Sequence, residues 1–546
     1  MIGNSVLRIS PSKSFRPRNR RTVSGSSLLA ARFCLVAILL AGFQTSLAHA
    51  QLTQLYAFQY NANTTSNYPD GESPQAELIQ GADGNYYTTT FAGGSGACPD
   101  DVQGLTPGCG AVVKITPAGV FSVLYSFPFN SSNNTTPNGM FPVAGLLQGP
   151  DGNFYGVASG GGSSSTDFCQ PGPEIFGCGT IFKLTPSGKL TLLYSFCGGY
   201  GCGSYPPDGA DPRGRLAIGP DGNLYGTTQQ GGEYNGFYNS GTIFRISLSG
   251  AGYQIMHTFS GCCGTGDGES PAAGLTLASD GNFYGTTQFG GTSGNGTIFK
   301  MNLAGAVTIL HSFGPDDPNG AEPLGALIQA SDGNLYGTCY SGGASNGGTV
   351  FRISTSGSFT KIYDFTTASI GTHPTAGVIQ ASDGNLYGVT PSGGAGLGSI
   401  YQLTLGGVAT LEASFGGPAG YYPDGALVQG SDGNLYVTTP SGGGSNSNGV
   451  PDEGTIDVFD VSLPAPKPGI LGFLPSSGKV GAKVTIGIGP YIGATAVKFN
   501  GTSTAFKVTG SEFITTTVPA GATSGPITVT TPGGTATSKK NFTVTP

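Results

Sequence analysis

The sequence predicts an all-β protein whose larger part is a seven-bladed β-propeller of four-stranded blades. Three observations carry this. The triplet Asp-Gly-Asn returns seven times, starting at Asp83, Asp151, Asp221, Asp280, Asp332, Asp383 and Asp432, at intervals of 49 to 70 residues. Between the triplets the apolar segments are short, rich in Ile, Val, Thr, Tyr and Phe, and bounded by Gly, Asp or Pro, which is strand rather than helix patterning. The 96 glycines and 37 prolines among 546 residues recur on the same period, so they mark turns and not disorder.

Each repeat has one anatomy. A short apolar run such as "ALIQ" (326–329) precedes the triplet, and "NLYGT" follows it. A Gly-rich loop leads to "GTIFRI" or "GTVFRI", a Gly turn, and a last apolar run ending in "SF", as in "LTLLYSF" (190–196). Asp-Gly between two strands is a strong hairpin signal, because the turn needs a positive φ. The four segments are therefore antiparallel strands a to d, and sheets of this kind repeated about an axis make a propeller.

The last repeat stops after its third strand, at "GTIDVFDV" (454–461). The fourth is expected from the other end of the array, where "LTQLYAF" (52–58) has the d pattern with no a, b or c before it. That strand would close the ring and remove the open sheet edges.

The repeats resemble the GloVer tandem repeats (choice-of-anchor type) of exported bacterial proteins, through "SDGNLYGT", the Gly-Gly pair, "GTIFRI" and "LYSF" over residues 51–463. They are similar, more distantly, to NHL and kelch repeats. The resemblance implies a propeller and no assigned activity. Beyond a Pro-rich linker, "SLPAPKPG" (462–469), the segments "LPSSGKVGAKVTI", "VKFNGT" and "VPAGATSGPITVTTPGG" resemble an IPT/TIG domain, which implies an immunoglobulin-like β-sandwich in residues 464–546.

Residues 1–50 read as a signal peptide. Basic residues from Arg8 to Arg32 precede the apolar run "FCLVAILLAGF", and a small-x-small cleavage pattern ends at Ala50. Eleven apolar residues are too few to span a bilayer. Cleavage would leave 16 basic and 30 acidic residues, a net charge near −14, which argues against nucleic acid or an anionic membrane as partner. No further transmembrane segment is expected. A secreted, periplasmic or cell-surface monomer is expected, with an extracellular glycan or a surface protein as its partner.

In an exported chain the nearby cysteine pairs Cys98/Cys109, Cys169/Cys178 and Cys197/Cys202 read as local disulfides. Cys262 and Cys263 form a vicinal pair of open pairing, and Cys339 replaces a strand Thr, as a buried free thiol would.

Strand direction puts the a–b and c–d turns on one face and the longer b–c and d–a loops on the other, where binding residues are expected. The d–a loops carry the recurrent pattern "PDGESP", "PDGADP", "GDGESP". Its acidic residues Asp70, Glu72, Asp208, Asp211, Asp267, Glu269, Asp316, Asp317, Glu322 and Asp424 are expected around the mouth of the central channel. Two readings stand: a site for a cation or sugar hydroxyls, or turn chemistry repeated with each blade. The second is favoured, so weak Ca²⁺ binding, with Kd on the order of 10⁻⁴ M or poorer, is the most that is expected. No other cofactor is indicated. With only His257, His311 and His373 beyond residue 50, no nucleophile–His–acid set can be drawn, so no catalytic residue is assigned. The reading is a non-catalytic binding or scaffolding protein. The alternatives are a polysaccharide hydrolase or lyase using paired carboxylates, and a spacer that displays the C-terminal module.

Overall fold

An Asp-Gly-Asn turn folds tightly because its aspartate gathers every polar group the turn exposes. In the fifth repeat, Asp332 accepts from Asn334 N (3.0 Å), Asn334 Nδ2 (2.8 Å) and the Tyr336 hydroxyl (2.9 Å), while Gly333 takes the positive φ of 84°. Strand c adds a cation in several repeats, as in Lys114 to Asp83 (2.9 Å) and Lys183 to Asp151 (2.7 Å). The Tyr that reaches back four residues is also the largest side chain of its strand. Tyr155, Tyr225, Tyr284 and Tyr336 are fully buried, so one residue pins the turn and fills the core.

The computed structural model describes residues 51–59, 68–95, 98, 108–130, 135–162, 177–197, 206–234, 237–238, 240–261, 266–314, 317–366, 369–443, 453–489, 493–510 and 512–546. Among them there is no helix. The repeats form seven four-stranded antiparallel sheets, numbered here 1 to 7 in the order of their Asp-Gly-Asn triplets, giving a β-propeller-like fold. Sheet 2 is typical: Leu147–Gln148, Phe154–Ala158, Thr180–Leu184 and Leu190–Ser195 lie side by side in that order. Strand d bulges once against strand c, between Ile181 and Phe182 in sheet 2 and at the equivalent place in the other complete repeats.

Sheet 7 is completed from the other end of the repeat array. Val428–Gln429, Leu435–Thr439 and Thr455–Asp460 are joined by Gln51–Ala57, with Gln51 opposite Asp460 and Ala57 opposite Thr455. The expected closing strand is therefore present, one residue from where the pattern placed its ends. Tyr56 of that strand stacks on Phe121 of sheet 1 at 3.9 Å.

Apolar cores lie between neighbouring sheets. Phe313 and Tyr284 of sheet 4 pack with Leu327, Leu335 and Phe351 of sheet 5, and Phe58, Tyr436 and Ile456 pack with Leu78 and Tyr86 of sheet 1. Each such buried side chain contributes about 1.5–3 kcal/mol.

Two polar devices set the seams. The first explains the recurrent Pro of the d–a loop. The residue before it takes φ between 53° and 59° at Ser73, Phe141, Asp211, Ser270, Glu322, His373 and Tyr422. Its N–H donates to the preceding sheet's b–c loop, as Ser270 N does to Ser240 O (3.0 Å). The Pro ring then seats on the Gly that opens strand c: a Cβ at Gly241 would lie 2.5 Å from Pro271 Cδ and 2.4 Å from Thr228 O. The last seam uses the same device, Pro74 against Gly454, with Ser73 N donating to Glu453 O (2.9 Å).

The second device is a glutamine at the end of strand a. Its Oε1 accepts the N–H of the residue before the aspartate of the preceding sheet: Gln148 from Ala82, Gln329 from Ser279, Gln380 from Ser331, Gln429 from Ser382 and Gln80 from Ser431, all at 2.7–3.0 Å. Two seams lack it, and at both the sequence changes on both sides. Pro150 and Pro220 have no N–H, and the facing positions are Ile218 and Leu277.

The C-terminal residues form two further sheets around one core. Ile470–Leu474, Lys483–Ile488, Phe513–Thr517 and Phe506–Gly510 make one, and Ser477–Gly478, Gly534–Val544, Gly525–Thr531, Ala496–Phe499 and Thr502–Thr504 the other. Val484, Ile486, Phe499, Ile527 and Phe542 are buried between them.

Candidate functional site

The acidic residues of the d–a loops separate into several small groups. Asp70 accepts the hydroxyl of Tyr56 (2.6 Å), Asp208 that of Tyr194 (2.8 Å), and Asp267 meets His257 Nε2 (2.6 Å). These partners lie on strand d, the edge of each sheet farthest from strand a, so the three carboxylates sit over the rim rather than at the axis. They also cap the chain as it leaves strand d, through Gln59 N, Cys197 N and Ser260 N. Asp317 does the same for Gly314 N (2.9 Å) and Asn319 N (2.8 Å). Asp316 lies outside the described residues.

Glu72, Asp211, Glu269 and Glu322 lie further along their loops, at or next to the residue before the seam Pro. Asp211 is buried and bonded to Arg213 (2.8 Å). Glu322 accepts from Ser341 Oγ (3.2 Å). Burial raises Glu269 above the usual carboxylate range. Glu72, 6% exposed, is pushed up to about 8 by burial and by the neighbouring Glu453. Asp424 is displaced from the rest: its loop aligns through Pro423, which seats on Gly398, so Asp424 follows the Pro instead of preceding it. That puts it at the start of strand a, beside Thr375 of sheet 6, where burial raises its carboxyl. Among the described residues no group of three or more His, Cys, Asp or Glu is placed to hold a metal ion.

The same face presents aromatic side chains that the acidic pattern had masked. Tyr340 of sheet 5 lies against His373 of sheet 6, ring centroids 5.1 Å apart. Tyr422 of sheet 7 is 47% exposed and touches Tyr421. His373 and Tyr422 both occupy the left-handed position before the seam Pro. Glu322 lies beside Tyr340, whose N–H donates to Glu322 O (3.0 Å), and Asp424 lies two positions after Tyr422 and beside Thr375, itself two positions after His373, so the loops of sheets 5 to 7 bring three rings and two carboxylates to this face. The signal was legible in the departures of sequence from the repeat at the residue before Pro.

The opposite face is built from the short turns, and the C-terminal sandwich sits on it. Arg215, which leads into strand a of sheet 3, bonds Glu512 of the sandwich (2.9 Å) and Glu77 of sheet 1 (3.5 Å), and its Nε donates to Leu146 O of sheet 2 (3.1 Å). Burial alone would lower the guanidinium, and the two carboxylates outweigh it and hold it above its ordinary value. The linker crosses the turns of sheets 6 and 7, where Ser382 Oγ donates to Pro464 O (2.6 Å).

Cys98 and Cys109 are disulfide-bonded, with Cα atoms 5.4 Å apart. Cys178 and Cys197 each take part in a disulfide, and the partners expected for them, Cys169 and Cys202, lie outside the described residues, as do Cys262 and Cys263. Cys339 is a buried free thiol whose ionisation burial opposes.

Fold and site together define a β-propeller-like tandem-repeat protein with loops on one face and a second β-module on the other. A family model, the Gloeobacter/Verrucomicrobia repeat, matches residues 41–236 and again 221–451, and the chain belongs to that repeat family. No curated protein matches the sequence. Among solved structures the chain is similar to a fungal alcohol oxidase of the AA5 family in complex with copper (12% identity, 87% of this chain and 98% of that one, TM-score 0.42). It is similar too to the extracellular domain of a hybrid two component system from B. thetaiotaomicron (12%, 87% and 53%, TM-score 0.43) and to a protein of unknown function from Dyadobacter fermentans (13%, 76% and 99%, TM-score 0.40).

Proposed function

We propose that the protein is an exported, non-catalytic glycan-binding scaffold: a seven-bladed β-propeller whose b–c and d–a loops form the binding face, carrying an immunoglobulin-like module of the IPT/TIG kind on the other. The observation that carries binding is the set of Tyr340, His373 and Tyr422 with Glu322 and Asp424 beside them. The exposed Tyr422 and the half-buried Tyr340 and His373 offer flat ring faces to a sugar, and nearby carboxylates accept from its hydroxyls. The Cys98–Cys109 bridge supports an oxidising compartment and hence export. Among the described residues no helix is long and apolar enough to cross a membrane.

The hydrolase alternative would rest on Glu72 and Glu453, a carboxylate pair of which one is raised to about 8. Burial of Glu72 and its place in a backbone bridge to Ala92 favour a structural role for that pair. A polysaccharide and oligosaccharide binding screen on the mature protein tests the proposal. A glycan ligand is expected whose binding falls at least about tenfold in Tyr422→Ala. Binding that is indifferent to Tyr422→Ala and His373→Ala, or release of reducing ends from the ligand, would overturn it.

A further inference from the structure

Five of the seven seams carry the glutamine bridge on the turn face, and the seam between sheets 2 and 3 does not, since Pro150 offers no N–H and Ile218 no acceptor. The C-terminal sandwich seats on this seam. Its turn between Phe506–Gly510 and Phe513–Thr517 lies on strand a of sheet 2 so closely that a Cβ at Gly510 would stand 2.5 Å from Gln148 O and 2.9 Å from Gly149 O. A Cβ at Gly152, in the Asp-Gly-Asn turn of the same sheet, would stand 3.5 Å from Thr509 O. Two residues further on, Glu512 takes Arg215 of sheet 3, and Arg215 in turn holds Leu146 O of sheet 2.

We propose that the C-terminal sandwich is a brace for the repeat array: Thr509 and Gly510 seat on sheet 2, and Glu512, acting through Arg215, ties sheet 2 to sheet 3 where the glutamine bridge is missing. The module is then a working part of the array rather than a passenger displayed by it. A charge-assisted pair held by two carboxylates and a carbonyl does the work of the lost amide bridge. The seam between sheets 3 and 4 also lacks the glutamine and serves as the internal control.

Hydrogen exchange on the full mature chain tests this. In Glu512→Ala, amides of sheets 2 and 3 near the turn face (residues 147–158 and 217–228) are expected to exchange about tenfold faster, the size expected for losing a charged hydrogen bond. Residues 328–339 and 379–390, at bridged seams, should keep their rates. Glu512→Gln, which preserves the side chain's shape, should give the same pattern at smaller amplitude. Installing the missing bridge with Pro150→Ser and Ile218→Gln in the Glu512→Ala background should restore the slow rates. The corresponding pair at the next seam, Pro220→Ser with Leu277→Gln, should not. Unchanged exchange in Glu512→Ala, acceleration spread evenly over all seams, or equal rescue by both pairs would overturn the brace.

Discussion

At the scale of the residue, the repeat is informative where it is broken. Strand c usually carries Phe or Tyr at the fourth position of "GTIF", packed over the Gly of "NLYG". Sheet 7 has Asp457 there, opposite Val437, and Asp457 is 0% exposed. Its Oδ2 accepts from Thr455 Oγ1 (2.5 Å), and burial, partly offset by bonds from Thr455 and Gly420, raises its carboxyl to about 7 from 3.8. The folded state therefore holds an extra proton between these values. The stability this group contributes is full below about pH 4 and is lost as pH rises toward about 7. Asp457→Asn should leave melting at pH 4 nearly unchanged and stabilise the protein at pH 8 by on the order of 3 kcal/mol. A melting curve in which the variant tracks the parent at both pH values would show that the carboxylate is accommodated in ionised form. The turn aspartate of sheet 4 has the opposite sign. Burial would raise Asp280, but bonds from Lys300, Tyr284 and Asn282 win and lower it to about 2, so its contribution stands at neutral pH and is lost as pH falls toward about 2.

At the scale of the element, the seams make the sharper claims. Gln380→Leu strips the partner from Ser331 N and Ser331 Oγ, and should cost about 1–3 kcal/mol. Adding Ser331→Pro removes the orphaned N–H, as the two natural Pro seams do, so the double variant should recover most of the loss in a thermal-unfolding cycle. Strictly additive losses would show that the bridge is incidental. Gly241→Ala meets both a φ of 91° and backbone and ring atoms within 2.5 Å, and should cost about 2–4 kcal/mol by urea unfolding. The strands themselves were legible from alternation and turn residues. The seams were not, because a seam pairs residues 47 to 66 positions apart, or 351 at the closing seam, and only the packing of sheet on sheet brings them together. Even so, the swap of Ser–Gln for Pro–Ile and Pro–Leu is written in the sequence, and it reads as a code once the geometry is known.

At the scale of the molecule, closure depends on one strand from the far end of the repeat array. Deleting residues 51–58 would leave Thr455–Asp460 as an open edge and uncover Phe121. The truncated protein should lose its cooperative melt and associate in solution, as read by calorimetry and light scattering. A truncation that melts and sediments like the parent would show that the strand is dispensable. Ca²⁺ is a second measurement at this scale. The carboxylates expected around the channel are instead spent at the rim on Tyr56, Tyr194 and His257, so millimolar Ca²⁺ should leave the melting temperature unmoved. A clear rise would mean that loops outside the described residues complete a site.

The sequence by itself determined the repeat, its four strands, the turns between them and the strand that closes the ring, because each of these is local chemistry: alternation, a positive φ at Gly, a Pro that cannot donate. It also marked the acidic d–a loops, but a linear pattern cannot say which end of a loop faces the axis. Tertiary structure decided that Asp70, Asp208 and Asp267 cap strand d while Asp424 stands at the start of strand a, and that Tyr340, His373 and Tyr422 share a face. It also decided that Arg215 and Glu512, 297 positions apart, meet over the seam that lacks its glutamine. Those contacts exist only because burying the apolar cores between neighbouring sheets stacks each repeat on the next, and that stacking sets which distant residues become neighbours.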